Sequence, residues 1–255
     1  MNAFVCIFLM CALSLSAGES EISISPQDAK TIAAKIYRNE CSQNPKLLIS
    51  WNDGEGFLSL GIGHFIWYSE GKREIFSERF PQFIAFCKEM RTSVPNWLEK
   101  EPACPWQSKA QFLDKASQPQ VEGLRQFLLE TQDIQALFMI RRLKQAMPSI
   151  TAAHSNPQKI LEQFWRVAAS AQGLYALIDY VNFKGEGVNM LERYNGHGWG
   201  LLQVLESMDH TDKPLVDFVK AAKTVLSRRV ANAPKERNEQ RWLAGWFNRV
   251  DTYDA

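Results

Sequence analysis

The chain has 255 residues, 45% of them hydrophobic, with 29 Lys+Arg against 28 Asp+Glu and a formal net charge of +1. It is long and apolar enough to bury a core, which excludes a disordered or collagen-like chain, and its length suits one or two domains. Nucleic acid is disfavoured as a partner, because gripping phosphates takes a concentrated positive field and no run of five basic residues occurs.

The first 18 residues carry no charged side chain, and the apolar run from Ala3 to Ala17 ends in Ser16-Ala17-Gly18. This reads as a secretory signal peptide over 1–18, leaving 19–255 exported to the periplasm or extracellular space with no membrane attachment. At about 15 residues, the run is shorter than the roughly 20 that a membrane-crossing helix needs. Cleavage removes Cys6 and Cys11 and leaves Cys41, Cys87 and Cys104. Cys87 and Cys104 are near enough in sequence to pair in an oxidising compartment, which spacing alone leaves open. No metal site is expected, since neither a C-x-x-C nor an H-E-x-x-H spacing occurs.

Ser25-Pro26-Gln27-Asp28 predicts a helix start, with a capping serine, a proline in the first turn and an acid three residues after the cap. Ala29, Ile32, Ala33, Ile36 and Tyr37 repeat at helical spacing and run out at Asn39-Glu40, which puts Glu40 at the C-terminal end. Leu47 to Trp51 and Phe57 to Phe65 flank a turn at Asp53-Gly54, the pattern of a small hairpin. From about residue 75 the pattern is helical, with prolines at 95, 102, 105, 119, 148, 157 and 234 expected as breakers. Shared faces are predicted for Leu124, Phe127 and Leu128; for Phe164, Trp165, Ala168, Ala169 and Gln172; and for Leu215, Phe218, Val219 and Ala222. Residues 69–119, rich in charge, proline and aromatics, read as an elaboration on the helical lobe.

The chemistry concentrates in Asp53 to Phe65, DGEGFLSLGIGHF, preceded by Glu40. Its glycines do not have the spacing of a phosphate loop, nor do they lead into a helix as a dinucleotide fingerprint does. A helix-end glutamate is followed 13 residues later by an aspartate, and six residues beyond that by a hydroxyl at Ser59 and the corner Gly61-Ile62-Gly63-His64. This constellation resembles the bacteriophage-type lysozymes, glycoside hydrolase family 24. Farther on, ALIDYVNFKGEG (176–187) looks like that family's buried helix with its Gly-Glu turn, and Leu191, Leu201 and Leu202 continue in helical style. RNEQRWLAGWFNRVDTYD (237–254) is similar, more loosely, to its Arg- and Trp-containing terminal helix. The matches cover about a third of the chain, in the right order; Ser59 stands where the family usually has Thr, and the Glu40–Asp53 span is longer and includes Pro45.

The resemblance implies an α+β, lysozyme-like fold, mainly helical with a small β-hairpin subdomain beside a cleft. It also implies an exported muramidase that cleaves the β-1,4 bond between N-acetylmuramic acid and N-acetylglucosamine of peptidoglycan, with inversion. Glycosidic cleavage needs a proton for the leaving oxygen and an activated water on the other face. Glu40 is expected as the general acid, kept protonated near neutral pH by burial beside Tyr37 and the hairpin. Asp53 stays ionised on its loop and positions water with Ser59, the carboxyls standing roughly 6.5–9.5 Å apart.

Gly61, Gly63 and His64 are expected to shape the site. Trp51, Trp67, Glu186 and Trp199 are expected to contact the sugar, the tryptophans by stacking. Lys184 is a further cleft candidate, and Glu55 a substitute carboxylate. No cofactor is implied, and the protein is expected to be a monomer whose partner is peptidoglycan or a related β-1,4 amino-sugar polymer. A lytic transglycosylase, a chitosanase-like glycosidase and a non-catalytic wall-binding module are the alternatives.

Overall fold

The computed structural model describes residues 24–74 and 76–255, so the leader read over 1–18 lies outside the described residues. Helix α1 (Pro26–Cys41) opens as its sequence predicts, with Ser25 Oγ accepting from the Asp28 backbone N–H at 3.1 Å. Its predicted apolar face is buried, and Ser42 ends it in the left-handed region, donating its backbone N–H to the Arg38 carbonyl at 3.0 Å. Glu40 therefore sits in the last turn.

A short 3-10 turn (Pro45–Leu48) leads into the antiparallel sheet β1 (Ile49–Ser50), β2 (Phe57–Leu60) and β3 (Phe65–Tyr68), in that spatial order. Ser59 pairs with Ser50 on one side and Ile66 on the other. The segment Phe57 to Phe65, expected as one strand, is broken after Leu60, and Phe65 begins a third. The reason is Gly61, whose φ of +71° turns the chain; His64 also adopts positive φ, at 48°.

A Cβ on Gly61 would lie 2.2 Å from Gln135 Oε1. That buried amide cannot step aside: its oxygen accepts from the Ile62 N–H at 2.8 Å and its nitrogen donates to the Leu128 carbonyl at 2.7 Å. Gly61→Ala is expected to cost about 2–4 kcal/mol and to lower the melting temperature by about 5–15 °C. An unchanged thermal melt would show that the turn relaxes.

Residues 69–119 cover the sheet with helices α2 (Phe80–Glu89), α3 (Asn96–Lys100) and α4 (Lys109–Leu113). Their aromatic residues pack with the sheet's own: Trp67 lies against Phe80, Trp97 and Trp106, and Trp51 against Phe112. Cys41, Cys87 and Cys104 are separate buried thiols, each pushed up to about 12 chiefly by burial, so the bridge that spacing left open is not formed.

The helical part comprises α5 (Gln118–Glu130), α6 (Gln132–Ala152), α7 (Pro157–Ala168), α8 (Ala171–Lys184), α9 (Leu201–Ser207), α10 (Pro214–Asn232) and α11 (Gln240–Val250). The chain is thus mainly helical with one small sheet, an α+β architecture. Pro148 does not end its helix: it stands one turn from the C-terminus of α6, where a single missing hydrogen bond is outweighed by burial of Met147 and Ile150. Leu124, Phe127 and Leu128 are buried together, as are Phe218, Val219 and Ala222. The face drawn from Phe164 to Gln172 spans two helices, because α7 stops at Ala168 and Ser170 caps α8. Leu191, expected in a helix, lies in the loop after α8 and is 92% exposed.

Candidate functional site

Three separate segments meet on the Glu40 carboxylate. His64, from the β2–β3 turn, reaches Oε2 with Nε2 at 2.9 Å. Asn182 on α8 donates to Oε1 at 2.7 Å, and the Arg249 guanidinium on α11 also donates to Oε1. The Glu40 side chain is 11% exposed. On its other edge, His64 Nδ1 lies 3.2 Å from Ser59 Oγ. With Glu40 ionised, Nε2 carries a proton; Nδ1 then accepts from Ser59 in the neutral ring or donates to it in the cationic one.

A buried frame stands behind this carboxylate. Arg249 donates to Asp179 through Nε at 2.8 Å and Nη2 at 2.9 Å. Asp179 is fully buried on α8 and also accepts from the Tyr253 hydroxyl at 2.7 Å and from Asn39 Nδ2 at 3.2 Å. Arg249 is thereby fixed as a bidentate fork and lends its remaining charge to Glu40.

The charge state of Glu40 departs from the expected protonated acid. Burial is the largest single influence and pushes its pKa up, but the hydrogen bond from His64 and the charges of Arg249 and His64 together outweigh it and bring the pKa down to about 2. Glu40 is therefore a carboxylate at neutral pH. Because the folded pKa lies below the ordinary value of 4.5, its contribution to stability is complete above that value and is lost as pH falls towards about 2. The size is about 3 kcal/mol. Acid unfolding of the wild type is expected to steepen across that window. Glu40→Gln, less stable at neutral pH, should converge with the wild type near the bottom of the window; curves that stay parallel would show that the carboxylate is not held in this way.

Asp53 is on the β1–β2 loop with its side chain 97% exposed, and Lys109 of α4 donates to it at 2.7 Å. Hydrogen bonding from Lys109, then its charge, holds the Asp53 carboxyl below its usual range, consistent with the expected ionised form. The elaboration at 69–119 therefore touches a candidate site residue. Gly61 and Gly63 shape the turn that presents His64; a Cβ on Gly63 would run into the Phe65 ring at 2.3 Å.

The three tryptophans expected to stack on sugars are core residues. Trp67 is 1% exposed inside the aromatic cluster, Trp51 is buried with its Nε1 donating to the Glu55 carbonyl, and Trp199 is buried between Tyr194 and the Arg229 guanidinium. No ring face is left open, because each indole already fills space between elements. Lys184 is likewise taken up, its ammonium lying over the rings of Trp246 and Phe183.

A cleft of about 470 Å³ opens beside Glu40, lined by His64 and Gly63 from the turn, Asn182 and Glu186 at the end of α8, Arg142 from α6 and Arg79 ahead of α2. Glu186 thus lines the cleft. Asn182, Arg249, Asp179, Arg142 and Arg79 were assigned no role from sequence. Asp179 had a legible signal, an acid in the middle of the apolar run ALIDYV, where a charge must find a partner. Arg79 and Arg142 had none.

Among the described residues, no group of three or more His, Cys, Asp or Glu is placed to hold a metal ion, and no helix is long and apolar enough to cross a membrane. Compared with protein-family models, curated proteins and solved structures, the chain matches none.

Proposed function

We propose that this chain is a lysozyme-like, exported muramidase that hydrolyses the β-1,4 bond between N-acetylmuramic acid and N-acetylglucosamine. The observation that carries this reading is the convergence on Glu40. The three stretches that resemble the phage-type lysozymes, 53–65, 176–187 and 237–254, supply His64, Asn182 and Arg249, and all three bind the same carboxylate, His64 and Asn182 also lining the cleft. Residues brought to one acid from such distances in sequence are more than helix packing requires.

Glu40 is the general acid and must first take up a proton. Polymer filling the cleft strips water from the carboxylate and strengthens burial, the influence that already favours the protonated form. The proton then passes to the glycosidic oxygen as the bond to the anomeric carbon breaks. Water, oriented by Asp53 and Ser59, adds on the opposite face and gives its proton to the Asp53 carboxylate, and inversion follows. His64 and Arg249 are positioning residues that fix where the acid points and set how readily it protonates.

The test is mass spectrometry of purified peptidoglycan incubated with the protein. Reducing-end muropeptides are expected. Anhydro products would make it a transglycosylase, and wall binding without release a binding module. Cleavage confined to chitosan would favour the chitosanase-like reading, which the arginines in the cleft disfavour because they repel a polyamine.

A further inference from the structure

Two cationic side chains of this cleft have no role in holding Glu40. Arg142 and its neighbour Arg141 point differently: Arg141 pairs outward with Glu89, while Arg142 lines the cleft. Among the described residues, no carboxylate comes within ion-pair distance of Arg142 or of Arg79. Arg79 Nη1 makes one long hydrogen bond, 3.3 Å to Gln82, and its Nε is buried without an acceptor. Burial first, and then the like charge of Arg79, bring Arg142 down to about 10, with Glu186 acting the other way; at neutral pH it remains a cation. Two like charges left together in a half-closed cleft cost free energy unless an anion joins them.

We propose that Arg79 and Arg142 form a carboxylate-binding subsite, so that this cleft takes an anionic amino-sugar polymer through an acid group carried on the glycan. The charge count favours a monoanion: the two guanidinium groups carry +2, Glu186 supplies −1, and one carboxylate completes neutrality where a doubly charged phosphate would exceed it. Planar guanidinium groups also match a carboxylate with paired hydrogen bonds. In a wall polymer that carboxylate comes either from the stem peptide or from the lactyl group of peptide-free muramic acid. The inference rests on the reading of the cleft as a polymer-cleaving site and narrows its substrate.

The test uses the protein carrying Glu40→Gln, to prevent turnover, and measures calorimetric affinity for four tetrasaccharides. One bears stem peptides with free carboxylates, the second has those carboxylates amidated, the third is stripped of peptide to expose the lactyl acids, and the fourth is the uncharged chitin tetramer. A carboxylate-bearing fragment is expected to bind at least tenfold more tightly than chitin. Arg142→Gln and, separately, Arg79→Gln should collapse that ratio towards one, with Arg142→Lys retaining part of it and thermal melts confirming a folded protein. The first and third fragments distinguish the two sources of the acid.

A ratio that survives both glutamine variants, or no preference over chitin at all, overturns the subsite. Digestion of peptidoglycan by the unsubstituted protein, followed in parallel, separates the two inferences. Digestion with an unresponsive ratio removes the subsite alone, whereas a ratio that collapses without digestion keeps the subsite and removes the muramidase.

Discussion

Glu40→Gln is expected to reduce the rate of peptidoglycan hydrolysis by about 10²–10⁴-fold, the span that a positioned general acid contributes. Glutamine keeps the shape and can still accept from Asn182 and Arg249, but it has no proton of suitable acidity for the leaving oxygen. The effect should fall on kcat and kcat/KM together, since the proton is needed only in the transition state. His64→Ala gives a companion result in the opposite sense. Removing the first of the influences that lower the Glu40 pKa leaves burial less opposed, so the basic limb of the pH–rate profile should move to higher pH. A Glu40→Gln protein that cleaves at near wild-type rate would remove Glu40 from the chemistry, and an unmoved limb in His64→Ala would remove His64 from control of its protonation.

Arg249→Met should have the largest effect on stability, about 3–5 kcal/mol, because it leaves the fully buried Asp179 without its cation. Met preserves much of the volume, so the loss reports charge rather than a cavity. The same substitution takes a donor from Glu40. In a domain of this size the loss appears as a melting temperature lower by about 6–20 °C. Adding Asp179→Asn should recover part of it, since the stranded charge is then gone, and that recovery in a double-mutant cycle distinguishes electrostatic from packing loss. Solvent-open pairs such as Lys220–Asp209 set the contrast: exposed ion pairs contribute at most about 1 kcal/mol. A drop of that small size in Arg249→Met would mean that water or local rearrangement compensates Asp179.

The two variants separate roles that share one hydrogen-bonded chain. Glu40 is at its less buried end and Asp179 at its fully buried end, with Arg249 between them. Changing the outer end should abolish function as well as lower stability at neutral pH, whereas changing the middle or inner end should act chiefly on stability.

What could be read along the chain was local. Ser25, Pro26 and the spacing from Ala29 to Tyr37 determined α1 and its buried face, because capping and helical periodicity act within a few residues. The same holds for the predominance of helix after residue 75 and for the placing of Glu40 at a helix end. Periodicity failed where one apolar run served two elements, as at Phe57–Phe65 and Phe164–Gln172, since hydrophobicity does not mark a turn that a single backbone angle or a capping serine makes.

Composition suggested stacking tryptophans, but the choice between an open ring face and a core indole depends on what packs against it. For Trp51 and Trp67 that neighbour is the aromatic cover folded from residues 69–119, which no local pattern ties to the sheet. The ionisation of Glu40 was beyond sequence for the same reason. Burial acts on the carboxylate with one sign, and the hydrogen bond from His64 together with the charges of His64 and of Arg249, 209 residues away, acts with the other and prevails. The sequence by itself determined the first helix with Glu40 at its end and the predominance of helix after residue 75. Tertiary structure alone decided which distant side chains close on that acid and which arginines face the cleft, because electrostatic and packing energies depend on distance in space and not on separation along the chain.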